Sequence, residues 1–430
     1  MRSLPPALIY KYLTRRSYCT LTLILLFIIY YEINVSNIKN VYEVDYTIKV
    51  SNISKIDNRT NKPAREDLDD LRYVLLWSDS EQPPFKDFGT GRSVFEEKNC
   101  SWTNCYVTND RNILSDYTEF DAVVFNGPSL SYLRSTNNMP RRRSSHQKYI
   151  FFSIESAANY PVCTDHWNGY FNWTWSYRLD SDIVWSYFVI TNASGHVIAP
   201  NREVRWEKDP GLDYVKSLGE DLKARLRGKR KAVAWYVSNC DTASLREVLA
   251  KDLQEYMRIF QLRLVTFGEC GRQYCPLFAM EQCLEDMGKD YFFYFAFENA
   301  LSVDYVTEKV LHALNHDTVP VVFGGANYSR FLPPDSYIDA ATLGPKKVVE
   351  KMAAAIKNRE EYERYFWWRG GVGGMYRVRA ANIHPETDPV CSLCAALNSP
   401  ATRNISIYKE FDRWWTPETS CQDVIKSHLH

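Results

Sequence analysis

The sequence predicts an α/β protein in which two Rossmann-like domains face a cleft, after an N-terminal transmembrane anchor and a stem. Three observations carry this. The 430 residues exceed one ordinary core and suit two domains of roughly 150–180 residues. The second half alternates strand-like and helix-like segments, the pattern of a parallel sheet with right-handed crossovers. A stretch bearing Pro200, Pro210, Gly211 and the basic "RLRGKRK" separates that half from an earlier set of apolar strands. Composition is globular, 45% hydrophobic and 14% aromatic. Formal net charge is +0, so nothing points to nucleic acid, and any affinity for an anion must be local.

The anchor comes first. "YCTLTLILLFIIYY" (Tyr18–Tyr31) is apolar and uncharged, with Lys11, Arg15 and Arg16 before it. As a helix it rises about 21 Å, and Tyr12–Thr14 and Ile33–Val35 extend it toward a hydrocarbon core of about 30 Å. No small-x-small cleavage site follows, so a signal anchor is preferred over a cleaved signal peptide, with the basic end in the cytosol. Beyond the apolar segment Tyr18–Tyr31 the chain carries Asn-x-Ser/Thr sequons at Asn34, Asn52, Asn58, Asn99, Asn172, Asn192, Asn327 and Asn404, as a lumenal protein would. Of 11 cysteines only Cys19 lies in the anchor. The others suit disulfides in an oxidising compartment, and the CxxC at Cys391 and Cys394 lacks the second ligand pair that zinc needs. Pairing is not legible.

The reading divides the chain into a cytosolic tail (1–17), an anchor (18–35), a stem (36–70) and a first domain (71–200). A linker (201–230), a second domain (231–390) and a Cys-containing C-terminal segment (391–430) follow. The stem is polar and lacks an apolar period. "YVLLW", "FDAVVFNG" and "KYIFFSIES" read as buried strands of the first domain. In the second domain "AVAWYVSN", "LRLVTFG", "FFYFAFEN" and "VPVVFGG" read as strands, with helices over "ASLREVLAKDLQEYM" and "DYVTEKVLHALN". Ligands of such sheets bind at the carboxyl ends of the strands.

One strand end carries unusual charge. Glu298, Asp304, Glu308 and Lys309 surround the start of the helix after "FFYFAFEN", with Asp304 the expected N-cap. Unpaired N–H groups at a helix start seat a pyrophosphate, and Lys309 adds a cation. From these residues alone, a capped surface helix accounts for the pattern equally well.

"FYFAFENALSVDYVTEKVLHAL…VPVVFGG…NYSRFLPPDSYI" resembles the donor-binding signature of the α-1,3-fucosyltransferases, glycosyltransferase family 10, of the eukaryotic Golgi type. "FFSIES", "WTWSYRLDSDI" and "WYVSNC…SLREVLAKDL" resemble other blocks of that family, so the likeness covers roughly residues 74–394. It implies a GT-B fold, GDP-β-L-fucose as donor and transfer in α-1,3 linkage with inversion. The first domain would face the acceptor, a GlcNAc of an N-glycan or another glycan, and the second would bind the donor. Glu155 matches the general base, which a sugar hydroxyl requires. Arg246, Tyr305, Glu308 and Lys309 match the nucleotide-sugar set, with Glu298 and Asn299 lining the same pocket. No metal ligand and no required cofactor are expected, a divalent cation at most stimulating turnover. The implied location is the Golgi membrane, single-pass type II, with the catalytic part in the lumen.

Two blocks depart from the family pattern. Ala300 stands where a serine is usual, and "VWSYFVI" replaces a Pro-Tyr-Gly turn that bears on acceptor choice. Other features compete for a role. "DSD" (Asp180–Asp182) imitates a manganese motif, but three residues match by chance. "PRRRSSHQ" reads as a solvated loop in preference to a processing site or acceptor patch. Trp167, Trp173, Trp175 and Tyr177 serve equally as core or as stacking platforms for a sugar.

Overall fold

The structure, a computed structural model, describes residues 70–416 apart from 79–82, 132–138, 208–215, 372 and 405. The expected anchor, nearly all of the stem and the sequons at Asn34, Asn52 and Asn58 lie outside the described residues. Among the described residues no helix is long and apolar enough to cross a membrane.

The first sheet is parallel, in the order β2-β1-β3-β4-β5-β6. Its strands are β1 (Arg72–Leu76), β2 (Cys105–Thr108), β3 (Ala122–Asn126), β4 (Lys148–Ser153), β5 (Trp173–Ser176) and β6 (Ile183–Val184). β3 and β4 are buried along their whole length, as strands covered on both faces must be. The short β7 (Phe188–Asn192) and β8 (Val197–Ala199) leave this sheet. The second parallel sheet has the order β10-β9-β11-β12-β13, from β9 (Lys231–Tyr236), β10 (Leu264–Phe267), β11 (Tyr291–Phe297), β12 (Val319–Phe323) and β13 (Ile338–Asp339). β14 (Tyr376–Ala380) pairs antiparallel with β7, which pairs with β8.

That third sheet corrects the first domain boundary. Phe188, Ile190 and Ala199 pack in the core of the second domain, because β7 finds its partner in β14. The expected linker also holds a helix, Glu220–Gly228, whose Leu222 and Leu226 join the same core. Between β9 and β10 runs α1 (Arg246–Ile259), burying Arg246, Ala250, Leu253 and Met257 at helical spacing. α2 (Met280–Asp290) precedes β11, and α3 (Glu308–Asn315) joins β11 to β12.

The C-terminal segment returns to the first domain. α4 (Pro389–Asn398) buries Val390, Cys391, Leu393, Cys394 and Leu397 in the first core. Its two cysteines, one helical turn apart, form disulfides to Cys100 and Cys105. The side-chain amides of Asn104 and Asn398 donate to one another beside them, at 3.0 and 2.9 Å. Disulfides typically contribute about 2–4 kcal/mol, and once one of these two is formed the other closes only a short loop. The CxxC is thus structural.

Candidate active site

β10 and β11 flank β9 on opposite sides, which puts a topological switch point between β9 and β11. A cavity of about 840 Å³ opens at the carboxyl ends of these strands, lined among others by Tyr236, Arg246, Arg272, Glu308, Lys309 and His312. Its far wall is the loop from Gly268 to Phe278, tied down by disulfides Cys240–Cys270 and Cys275–Cys283.

Arg246 is the first residue of α1 and is buried. Its guanidinium donates to the carbonyls of Phe297 (2.9 Å) and Asn239 (3.0 Å), spanning the ends of two neighbouring strands. Its Nε has no hydrogen-bond partner and stands 3.7 Å from Glu247.

The end of β11 differs from expectation in three ways. First, the helix begins at Glu308 with Thr307 at its N-cap, so Asp304 does not cap it. Asp304 has φ +60°, is buried, and accepts from the Leu179 N–H at 3.2 Å. Second, Glu298 does not line the cavity. It is 0% exposed and its carboxylate accepts from the Thr307 N–H (2.8 Å), the Thr307 hydroxyl (2.9 Å) and Lys309 Nζ (2.9 Å). Third, Tyr305 packs edge-on against Tyr177, 4.8 Å between centroids, and joins the core of the first domain together with Ala300. Asn299 also lies outside the cavity lining, with its Oδ1 buried and unpaired.

Glu155 follows β4 at its carboxyl end. The Ser153 hydroxyl donates to the Glu155 carbonyl at 2.9 Å and the Tyr187 hydroxyl to that of Ile154 at 2.7 Å, which fixes the backbone there. The Tyr305 hydroxyl approaches its Oε2 at 3.5 Å. Burial raises the Glu155 carboxyl above its ordinary pKa, with the Lys309 charge pulling the other way. Glu308 is also disfavoured by burial, but the Lys309 charge beside it brings its carboxyl below the ordinary value.

The loop between β11 and α3 thus reaches across to the first domain. Ala158 N–H donates to Ser302 Oγ at 3.1 Å, and Arg330 stands 3.7 Å from Asp304. Gly325 lies under this loop. A Cβ there would stand 2.7–2.9 Å from the backbone of Ser302 and Leu301, so only glycine permits the approach.

The competing motifs resolve into structure. Asp180 takes two hydrogen bonds from Arg178 and one from Trp414, and Asp182 holds Thr174 and Tyr408. Trp167, Trp173, Trp175 and Tyr177 are buried core. Arg142 pairs with Asp116, and Arg143 lies 4.0 Å from the Tyr149 ring centre. Asn172 is closed to a glycan: buried, it accepts from the Tyr149 N–H and donates to the Ser406 carbonyl. Asn99, Asn327 and Asn404 are exposed and Asn192 is half-buried. Sequence reasoning missed Tyr236 and Arg272, at and just beyond strand ends, and His312, one turn along α3 from Glu308.

Residues 69–188 match the model "Fucosyltransferase, N-terminal" and residues 226–414 match "Glycosyltransferase family 10 (fucosyltransferase) C-term". Alpha-(1,3)-fucosyltransferase C of Drosophila melanogaster is 35% identical over 362 residues, 83% of this chain and 80% of that one. The chain belongs to the α-1,3-fucosyltransferase family, glycosyltransferase family 10. It is a fucosyltransferase. The human 4-galactosyl-N-acetylglucosaminide 3-alpha-L-fucosyltransferase FUT5 is 33% identical over 270 residues, 62% of this chain and 63% of that one. A crystal structure of an alpha1,3-fucosyltransferase with GDP-fucose aligns with 84% of this chain and 97% of its own, at 14% identity and TM-score 0.46.

Proposed function

We propose that this family 10 fucosyltransferase is an inverting GT-B enzyme that moves L-fucose from GDP-β-L-fucose in α-1,3 linkage to a GlcNAc of a glycoprotein glycan. The observation that supports it most is the placement of Glu155. A half-buried carboxylate with a raised proton affinity and no cationic partner within ion-pairing distance among the described residues faces the loop whose other end presents Lys309 to the cavity. The acceptor O3–H passes its proton to Glu155 as O3 bonds to the fucose C1. The C1–O bond to the β-phosphate breaks, and GDP leaves with that electron pair. Arg246, Lys309 and the start of α3 stabilise the charge that develops there. Glu308, half exposed in the cavity, accepts from ribose hydroxyls.

Because side chains already occupy Asp180 and Asp182, the diphosphate is met by protein cations, and turnover survives EDTA. Complete loss restored only by manganese would remove this charge assignment. The same proposal has the enzyme in the Golgi membrane as a type II protein, its catalytic part lumenal. The test is GDP-fucose with a panel of GlcNAc-terminated, lactosamine and N-glycan core acceptors, read by mass spectrometry and linkage analysis. Absence of fucosylated product across the panel would sink the reading.

A further inference from the structure

We infer that Glu298 and Thr307 are positioning residues that aim Lys309 at the leaving diphosphate, and that neither touches the donor. The inference rests on the donor reading above. An ammonium has three hydrogens. One goes to Glu298 Oε2 at 2.9 Å and one to Thr307 Oγ1 at 2.6 Å. The third has only Glu308 Oε1, at 3.5 Å, and is available to a phosphate oxygen in the cavity that Lys309 lines.

The rest of the arrangement is fully committed. Thr307 Oγ1 accepts from Lys309, so its own hydrogen goes to Glu298. The other Glu298 oxygen accepts the Thr307 N–H. A buried carboxylate that holds one cation and one backbone amide orients both the lysine and the first turn of α3. Lys309, on a flexible four-carbon stem, would otherwise sample many rotamers and lose the advantage of preorganisation. The pairing also keeps Lys309 protonated: burial alone would lower its pKa, and the carboxylates of Glu298 and Glu308 raise it above the ordinary value.

The test uses the full-length enzyme and GDP-fucose kinetics. Glu298→Gln turns an amide N–H₂ toward Lys309 and should lower kcat at least tenfold while changing donor KM less. Lys309→Met should lower kcat at least as much and also raise donor KM, since the ammonium itself meets the diphosphate, and the double variant should match Lys309→Met within twofold, since Glu298 acts through Lys309. Should Lys309→Met fail to fold, the Thr307 pair decides. Thr307→Val should lower kcat about tenfold, and Thr307→Ser, which keeps the hydroxyl, should recover most of it. Losses that multiply in the double variant, or a serine variant as slow as the valine one, would overturn the inference. Calorimetry of GDP with the unmodified enzyme separates the two failures. No GDP binding removes the donor reading itself, whereas GDP binding with multiplied losses removes only the role of Glu298 and Thr307.

Discussion

Glu155 and Glu298 occupy equivalent places, each just beyond the carboxyl end of a central strand of a parallel sheet, and they have opposite environments. Glu298 has a lysine, a hydroxyl and a backbone amide on its carboxylate, so its charge is neutralised and its geometry held. Among the described residues, Glu155 has one long contact from Tyr305 and no cation within ion-pairing distance. The first carboxylate is thereby an anchor for Lys309, and the second keeps the environment that the proposed base requires. Residue type and strand position are shared; the counter-charge decides between them.

The sharpest way to break this comparison is Glu155→Gln. It should lower turnover by about 10²–10⁴-fold with GDP binding by calorimetry close to that of the unmodified enzyme. Activity kept within a few-fold would remove the base.

Lys309→Ala tests the other side and should show in two measurements. It weakens donor binding and the chemical step together. It also leaves Glu298 buried and unpaired, which for such pairs costs about 3–5 kcal/mol and lowers the melting temperature. A normal melt with slow chemistry would mean that Glu298 finds another partner.

The pH profile sharpens the comparison further. A base must be deprotonated, and burial raises Glu155. The acidic limb of kcat should therefore have its midpoint above the ordinary glutamate value of about 4.3, activity falling as pH drops through it. Tyr305→Phe removes the one hydroxyl that favours the ionised form, and should move that limb slightly upward without changing donor KM.

Glu308→Ala carries the smallest effect. Ribose contacts are alike in the ground and transition states, so donor KM should rise with little change in kcat. An equal fall in kcat would place Glu308 in the chemistry.

Legibility followed the length scale of the interaction. β4, β9, β11 and β12 were readable because each is an unbroken apolar run, and α1 because its apolar positions repeat at helical spacing. Arg246, Glu308 and Lys309 line one cavity, the last two as neighbours in sequence. Tyr305 was misdirected because its partners, Tyr177 and Glu155, lie more than a hundred residues away. Asn172 reads as a sequon like the others, and only its bonds to Tyr149 and Ser406 close it.

By itself, then, the sequence determined the two parallel sheets, the strand end that carries the charged cluster, and the family. Those depend on periodicity and on residues within about twelve positions of each other, where chain connectivity alone brings groups together. Only the tertiary structure decided which cysteine meets which, that β7 pairs with β14, and that Glu298 holds Lys309 while Glu155 has no cation within ion-pairing distance among the described residues. Each of those turns on which distant side chain excludes water from a carboxylate or a strand edge. In a buried site that neighbour, more than the residue itself, sets the charge.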